Sequence, residues 1–341
     1  MMIRMRWMLF LAVVVLSSCS KVPERNFEFN YKVSLQANSG KNMKVWIPIP
    51  KSNEIQNISE LSIDTEIPYS IKTEEKHGNT YFYADLKEGL TKATDINIHF
   101  NVNRKQRSAA KFNGVNTNQY LNANRLVPVG GRFDSIVKAN HFSPENMKAV
   151  YDFVLNEMYY GKPKAQNPSD HYYASLPATI KKGISKDSVV SLYLNTTKIA
   201  GEFTFGNGNS NYACDISVGN CTDFHSYFMS LARSIQVPAR FHIGFSIPEG
   251  KKGNIGGYHC WADYHQNKTW LPVDISEADK APEKANFYFG NLDANRVEMT
   301  QGRDLILKGY TKGAVNFFVY PIVECDGQAA AYTKSFSFKE I

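Results

Sequence analysis

From Phe27 to Leu35 every second position is apolar. Phe27, Phe29, Tyr31, Val33 and Leu35 alternate with Glu28, Asn30, Lys32 and Ser34. A period of two puts one face of an extended segment in a core and the other in water, so this stretch predicts a strand. Ile96 to Val102 repeats the alternation, and the residues around Tyr81 form a third such run. Pro48 and Pro50 interrupt "VWIPIP". Proline cannot donate to a ladder, which assigns that run to a sheet edge. Clusters such as "KHGN" supply the turns. Residues 26–104 thus predict a small antiparallel β-sandwich, and the polar residues 105–124 a linker.

Beyond the linker the period changes to 3.6. Ser143 and Pro144 read as N-cap and first helical residue, followed by a stripe of Met147, Val150, Tyr151, Val154, Leu155 and Met158. Residues 161–210 are an irregular insertion with no legible chemistry. A second stripe, Phe224, Tyr227, Phe228, Leu231, Ala232 and Ile235, follows the N-cap candidate Asn220. It places Cys221 in the first turn of a largely buried helix. Unsatisfied backbone N–H groups and the positive end of the helix dipole favour a thiolate there, and the same groups suit a developing oxyanion.

A thiol nucleophile needs a base. Two β-prone runs, Tyr258 to Tyr264 and Thr269 to Ile275, flank the turn residues His265 to Lys268. A turn centred between Gln266 and Asn267 sets His259 directly opposite Asp274, with Cβ atoms roughly 5 Å apart. The spacing therefore offers Cys221 as nucleophile, His259 as base and Asp274 as its orienting carboxylate. Cys221 and His225 are four apart, a spacing zinc can use, but no C-x-x-C or H-E-x-x-H accompanies them. No metal or other cofactor is expected. Asp223 and His225 are assigned to helix terminus and packing, and Asp215, Arg296 and Arg303 to surface ion pairs. Cys260 is expected on the opposite strand face from His259.

Composition changes the picture in three ways. The 341 residues, 43% hydrophobic and 13% aromatic, suffice for two cored domains. The formal charge of +7 is scattered rather than striped, so no nucleic-acid partner is expected. The first residues carry Arg4 and Arg6, an apolar run from Trp7 to Leu16, and then Leu16-Ser17-Ser18-Cys19. That is the layout of a secretory leader too short to span a bilayer. Its end resembles the bacterial lipobox, in which the cysteine is lipidated. Residues 1–18 are then a signal peptide and 19–25 a tether. The protein is exported and anchored to a membrane through Cys19, with Ser20 pointing to the outer membrane and either face open. The remaining Cys214, Cys221, Cys260 and Cys325 are even in number, and in an oxidising compartment two disulfides are the expectation from count alone, Cys214–Cys260 or Cys260–Cys325 among the pairings.

Three ordered blocks carry a family resemblance. "GNCTDFHSYFMSLARSIQVPARFHIGF" resembles the cysteine block of the transglutaminase-like, papain-related superfamily, including "VPAR" before a strand. "YHCWADYHQNKTWLPVDIS" resembles its histidine and aspartate blocks, and "FYFGNLDANRVEMTQGRDL" a tail of exported bacterial members. The resemblance spans about Leu126 to Glu324 and implies an α+β, papain-like catalytic core over 125–341, behind the N-terminal sandwich. It implies the same Cys221, His259 and Asp274 roles. Tyr212, upstream of the cysteine, is the candidate oxyanion residue, and Trp261, after the histidine, a candidate substrate contact. Animal cross-linking members have Gln before and Trp after the cysteine, whereas Asn220 and Thr222 stand here. The resemblance therefore implies peptide or amide hydrolysis, on a peptide, an envelope protein or a cell-wall stem peptide. The alternatives are acyl transfer to an amine and a tethered, non-enzymatic peptide- or glycan-binding protein.

Overall fold

The computed structural model describes residues 22–161 and 205–341, with the isolated positions 185, 188 and 191 between them. The leader with Cys19, and the rest of residues 162–204 of the insertion, lie outside the described residues. Six strands come first: β1 (Glu24–Leu35), β2 (Met43–Ile49), β3 (Gln56–Asp64), β4 (Ser70–Thr73), β5 (Thr80–Leu86) and β6 (Thr94–Lys105). Helices α1 (Arg132–Ala139) and α2 (Met147–Glu157) lead to β7 (Tyr159–Tyr160). Then follow α3 (Ser210–Ile216), β8 (Val218–Gly219), α4 (Cys221–Ser234), β9 (Ala239–Ser246) and β10 (Lys252–Asn254). The hairpin β11 (Tyr258–Gln266) and β12 (Thr269–Val273) runs into α5 (Ile275–Lys280) and α6 (Ala285–Tyr288). The chain ends with β13 (Arg296–Gln301), β14 (Ile322–Cys325), β15 (Gln328–Ala329) and β16 (Tyr332–Glu340).

The architecture is α+β. One sheet has the order β10-β16-β1-β6-β3, a second β15-β14-β2-β5-β4, and the core sheet is β12-β11-β9-β13. The apolar positions of β1 are all buried, and Phe29 stacks on its β6 partner Phe100 at 5.0 Å. Phe245 of β9 meets Phe29 at 5.4 Å and Phe336 of β16 at 4.4 Å. Sandwich and core thus share one continuous apolar interior.

Three local expectations are corrected. The last strands, inside the 125–341 segment, pair with the N-terminal ones: β16 lies along β1 and β14 along β2. β2 is accordingly central rather than an edge. Its proline is tolerated because β14 reaches only Trp46, leaving Pro48 paired on one side, with Tyr81. Helix α2 begins three residues later than Ser143 and Pro144 suggest, because the Asn146 side chain accepts from the Ala149 N–H and caps it.

Candidate active site

Asn220 and Asp223 fix the start of α4. The Asn220 Oδ1 accepts from the Thr222 N–H (2.9 Å), and Asp223 Oδ2 accepts from the Asn220 N–H (3.0 Å), a capping box. Asp223 also takes the Gly206 and Gly208 N–H groups (2.9 and 3.1 Å). Its carboxylate folds so close to the chain that a Cβ on Gly219 would come within 2.6 Å of Asp223. Glycine is required there, two residues before the thiol. Cys221 follows the cap at the first helical position and is buried.

The base arrives from β11. His259 Nε2 bonds Asp274 Oδ2 at 2.7 Å, and both residues are buried. The hairpin register differs from the expected one. Gln266 pairs with Thr269 and Ala262 with Val273, so the turn is centred between Asn267 and Lys268. His259 and Asp274 are therefore offset by two positions instead of directly opposite. A one-residue move of the turn shifts partners by two, which preserves the face, and a diagonal pair is still within reach of long side chains. Asp274 leaves the strand and caps α5, accepting from the Glu277 N–H (3.1 Å) and Ser276 Oγ (3.0 Å). Arg296 Nη1 donates to its Oδ2 at 2.9 Å. Arg296 is itself buried, so it braces the carboxylate instead of forming a surface pair.

With Nε2 committed to Asp274, Nδ1 is the ring nitrogen left to face the sulfur. Both His259 and the Cys260 thiol hydrogen-bond Cys221. Burial alone would raise the Cys221 thiol, but these bonds and the His259 charge hold it well below its ordinary value. Burial would lower His259, yet the Asp274 carboxylate overrides it and pushes the imidazole up to about 10. Burial also opposes ionisation of Asp274, and the charges of His259 and Arg296 reverse that. These charges favour a thiolate–imidazolium pair.

His225 is a packing residue. The Ile275 N–H donates to its Nε2 (3.1 Å), so its proton sits on Nδ1, which donates to the Cys221 carbonyl (2.6 Å). It pins the start of α5 to the start of α4, and burial keeps it neutral. Cys260 points away from His259 along the strand, as expected, but lies under α4 with its Sγ 3.6 Å from His225 Nδ1. Cys221, Cys260 and Cys325 are free thiols, so neither Cys214–Cys260 nor Cys260–Cys325 forms, and Cys221 is not bridged to Cys214. Count alone could not see that Cys221 and Cys260 are buried in the core, or that Cys325 accepts from Asn38 Nδ2 (3.0 Å).

Other candidates fall elsewhere. Trp261 is fully buried, stacked on His242 at 5.9 Å and within 6.3 Å of His259. It is a plate behind the base, out of a substrate's reach. Tyr212 is buried in α3 with its ring edge-on to Phe205. Arg303 is buried too, donating to Ser226 Oγ (2.7 Å) and the Gly208 carbonyl (3.0 Å). Asp215 does form a surface pair, with Arg132 at 2.6 Å. The residues missed from sequence are Tyr258, whose hydroxyl accepts from Asn220 Nδ2 (3.1 Å), and Tyr160, which lies beside Gly219 under Lys280 Nζ (4.0 Å to the ring). Tyr258 abuts His259 in the chain, the one signal that could have singled it out. An open cleft of about 460 Å³, lined by Ser246, Glu277, Phe287, Tyr288 and Arg296, adjoins the Asp274 end. Among the described residues there is no group of His, Cys, Asp and Glu able to hold a metal, and no helix long and apolar enough to cross a membrane.

Comparison with known proteins agrees with the fold. An uncharacterized Haemophilus influenzae protein is 24% identical over 380 aligned positions, covering 93% of this chain and 94% of the relative. The crystal structure of a proposed cysteine protease from Cytophaga hutchinsonii superposes with a TM-score of 0.50 at 13% identity, over 93% of this chain and 98% of that one. A similarity at that identity speaks for the fold. The sequence profile of the transglutaminase-like superfamily matches residues 179–275, the stretch that holds Cys221, His259 and Asp274. Over that stretch the chain is similar to the transglutaminase-like superfamily.

Proposed function

We propose that this is an exported, lipid-anchored cysteine peptidase or amidase acting through Cys221, His259 and Asp274. The observation that carries the reading is the buried His259–Asp274 bond beside a free thiol at a helix start. The Cys221 thiolate adds to the carbonyl carbon, and the carbonyl electron pair moves onto oxygen. Collapse of that intermediate expels the amine, which takes its proton from the His259 imidazolium. Water, deprotonated by the neutral imidazole, then adds to the acyl carbon; the C–S bond breaks, the acid is released and the thiolate–imidazolium pair returns. Asp274, itself held by Arg296, keeps the ring oriented. The naming of the Cytophaga hutchinsonii neighbour as a proposed cysteine protease points the same way. Acyl transfer to an amine uses the same residues and differs only in the acceptor. Anchoring through Cys19 would confine the activity to peptides of the cell envelope.

The test is turnover of a broad panel of peptides and carboxamides by wild type and Cys221→Ala, read by mass spectrometry. Cleavage lost in the variant is the expected result. No wild-type cleavage and no acyl adduct anywhere in the panel would leave the binding-protein alternative. A Cys19→Ala chain should appear in the soluble fraction; its retention in membranes would remove the anchor.

A further inference from the structure

Asn220 immediately precedes the thiol and Tyr258 immediately precedes the base, and their side chains are bonded. The Asn220 amide has no freedom to turn. Its oxygen takes both the Thr222 N–H (2.9 Å) and Thr222 Oγ1 (2.5 Å), so its nitrogen must face Tyr258, donating to the hydroxyl at 3.1 Å. The phenol oxygen is thus an acceptor, and its own proton remains to be donated. Among the described residues none accepts it. Tyr258 is also held from behind. Its N–H donates to Tyr320 Oη (3.0 Å), and its ring packs on Tyr320 (5.7 Å) and Phe317 (6.0 Å). Burial, and after it the negative charge on Cys221, keeps the phenol protonated well above its ordinary value.

We infer that Tyr258 is a catalytic residue of the proposed hydrolase. Its hydroxyl donates to the oxyanion of the tetrahedral intermediate, alongside the Cys221 backbone N–H at the head of α4, and Asn220 is the positioning residue that aims it. Tyr212, the upstream candidate, does not have this role. The donor is preorganised, which is the condition under which such hydrogen bonds act most strongly on a transition state. No atom is transferred through Tyr258. Negative charge develops on the carbonyl oxygen, is held, and returns when the carbonyl re-forms.

This rests on the proposed cysteine chemistry, so the experiment separates the two. Cys221 is acylated with p-nitrophenyl acetate, a reaction that builds an oxyanion. In parallel it is alkylated with iodoacetamide, a displacement at carbon that builds none at that position. In Tyr258→Phe acylation should fall about 100-fold while the alkylation rate and its pH profile stay unchanged. Asn220→Ser keeps a capping oxygen but no longer aims the phenol, and should lose about 10-fold in acylation. Acylation by Tyr258→Phe within about 3-fold of wild type overturns the assignment, as does a parallel loss of acylation and alkylation, the mark of a purely structural role. Wild type that is never acylated at Cys221 overturns the hydrolase itself.

Discussion

Around the Cys221 sulfur each neighbour was chosen by the fold for its effect on charge. His259 supplies a positive partner, and Cys260 supplies a hydrogen bond from a thiol that burial keeps protonated. The signs define a window. Cys221 is lowered, so the thiolate is present well below the ordinary thiol value of about 8.5, and His259 is raised to about 10, so the imidazolium lasts until then. Iodoacetamide alkylation of Cys221 should therefore begin well below the ordinary thiol value in wild type and only near it in His259→Ala. Peptide mapping across pH checks it; superimposable profiles would show the pair is not assembled. Turnover should rise with thiolate formation and fall as pH passes about 10, where the general acid is lost. At this scale Cys221 and His259 were legible because each sits in a patterned element whose periodicity aims its side chain, and Asp274 because it directly follows one. Arg296 and Tyr258 were not. Arg296 comes 22 residues after Asp274 from a different strand, and no local period reports a contact made by tertiary packing.

At the level of elements the hairpin shows how legibility ends at a turn. Asn267 and Lys268 both adopt positive φ, 50° and 63°, the requirement of a two-residue turn of the type that matches strand twist. Lysine is an uncommon occupant of that region, so the sequence favoured a centre one residue too early. The strand faces survived the error and the direct opposition did not. β16 makes a second case. Its Phe336 lies 4.5 Å from the Tyr31 ring, 4.4 Å from Phe245 and 5.9 Å from Tyr320, between sandwich and core. Phe336→Ala should cost about 3–5 kcal/mol in chemical denaturation. A loss under about 1 kcal/mol would mean that the two halves do not depend on this joint.

For the molecule as a whole, the α+β class and the sandwich followed from two periods, but the closing strands were counted with the 125–341 core, whereas they pair in the sandwich. Pairing across some three hundred residues is set by which edge lacks a neighbour, and no pattern within β16 records that. A chain ending at Ala331 lacks β16 and leaves β1 bonded on one side only. It should lose the single cooperative unfolding transition of the full chain and be cut by protease in its N-terminal strands; retained protection would show that β16 is dispensable.

The pairing of first strand with last also sets an order in time. β1 is synthesised well before β16, and β2 well before β14, so each must wait for its partner. The sandwich sheets are consequently completed only after the helices and hairpin around Cys221 have been made. The helices and hairpin around Cys221 use contacts closer in sequence, so they can assemble sooner. Until β16 docks, β1 keeps one edge without a neighbour, an open row of backbone N–H and C=O groups that another chain could pair with.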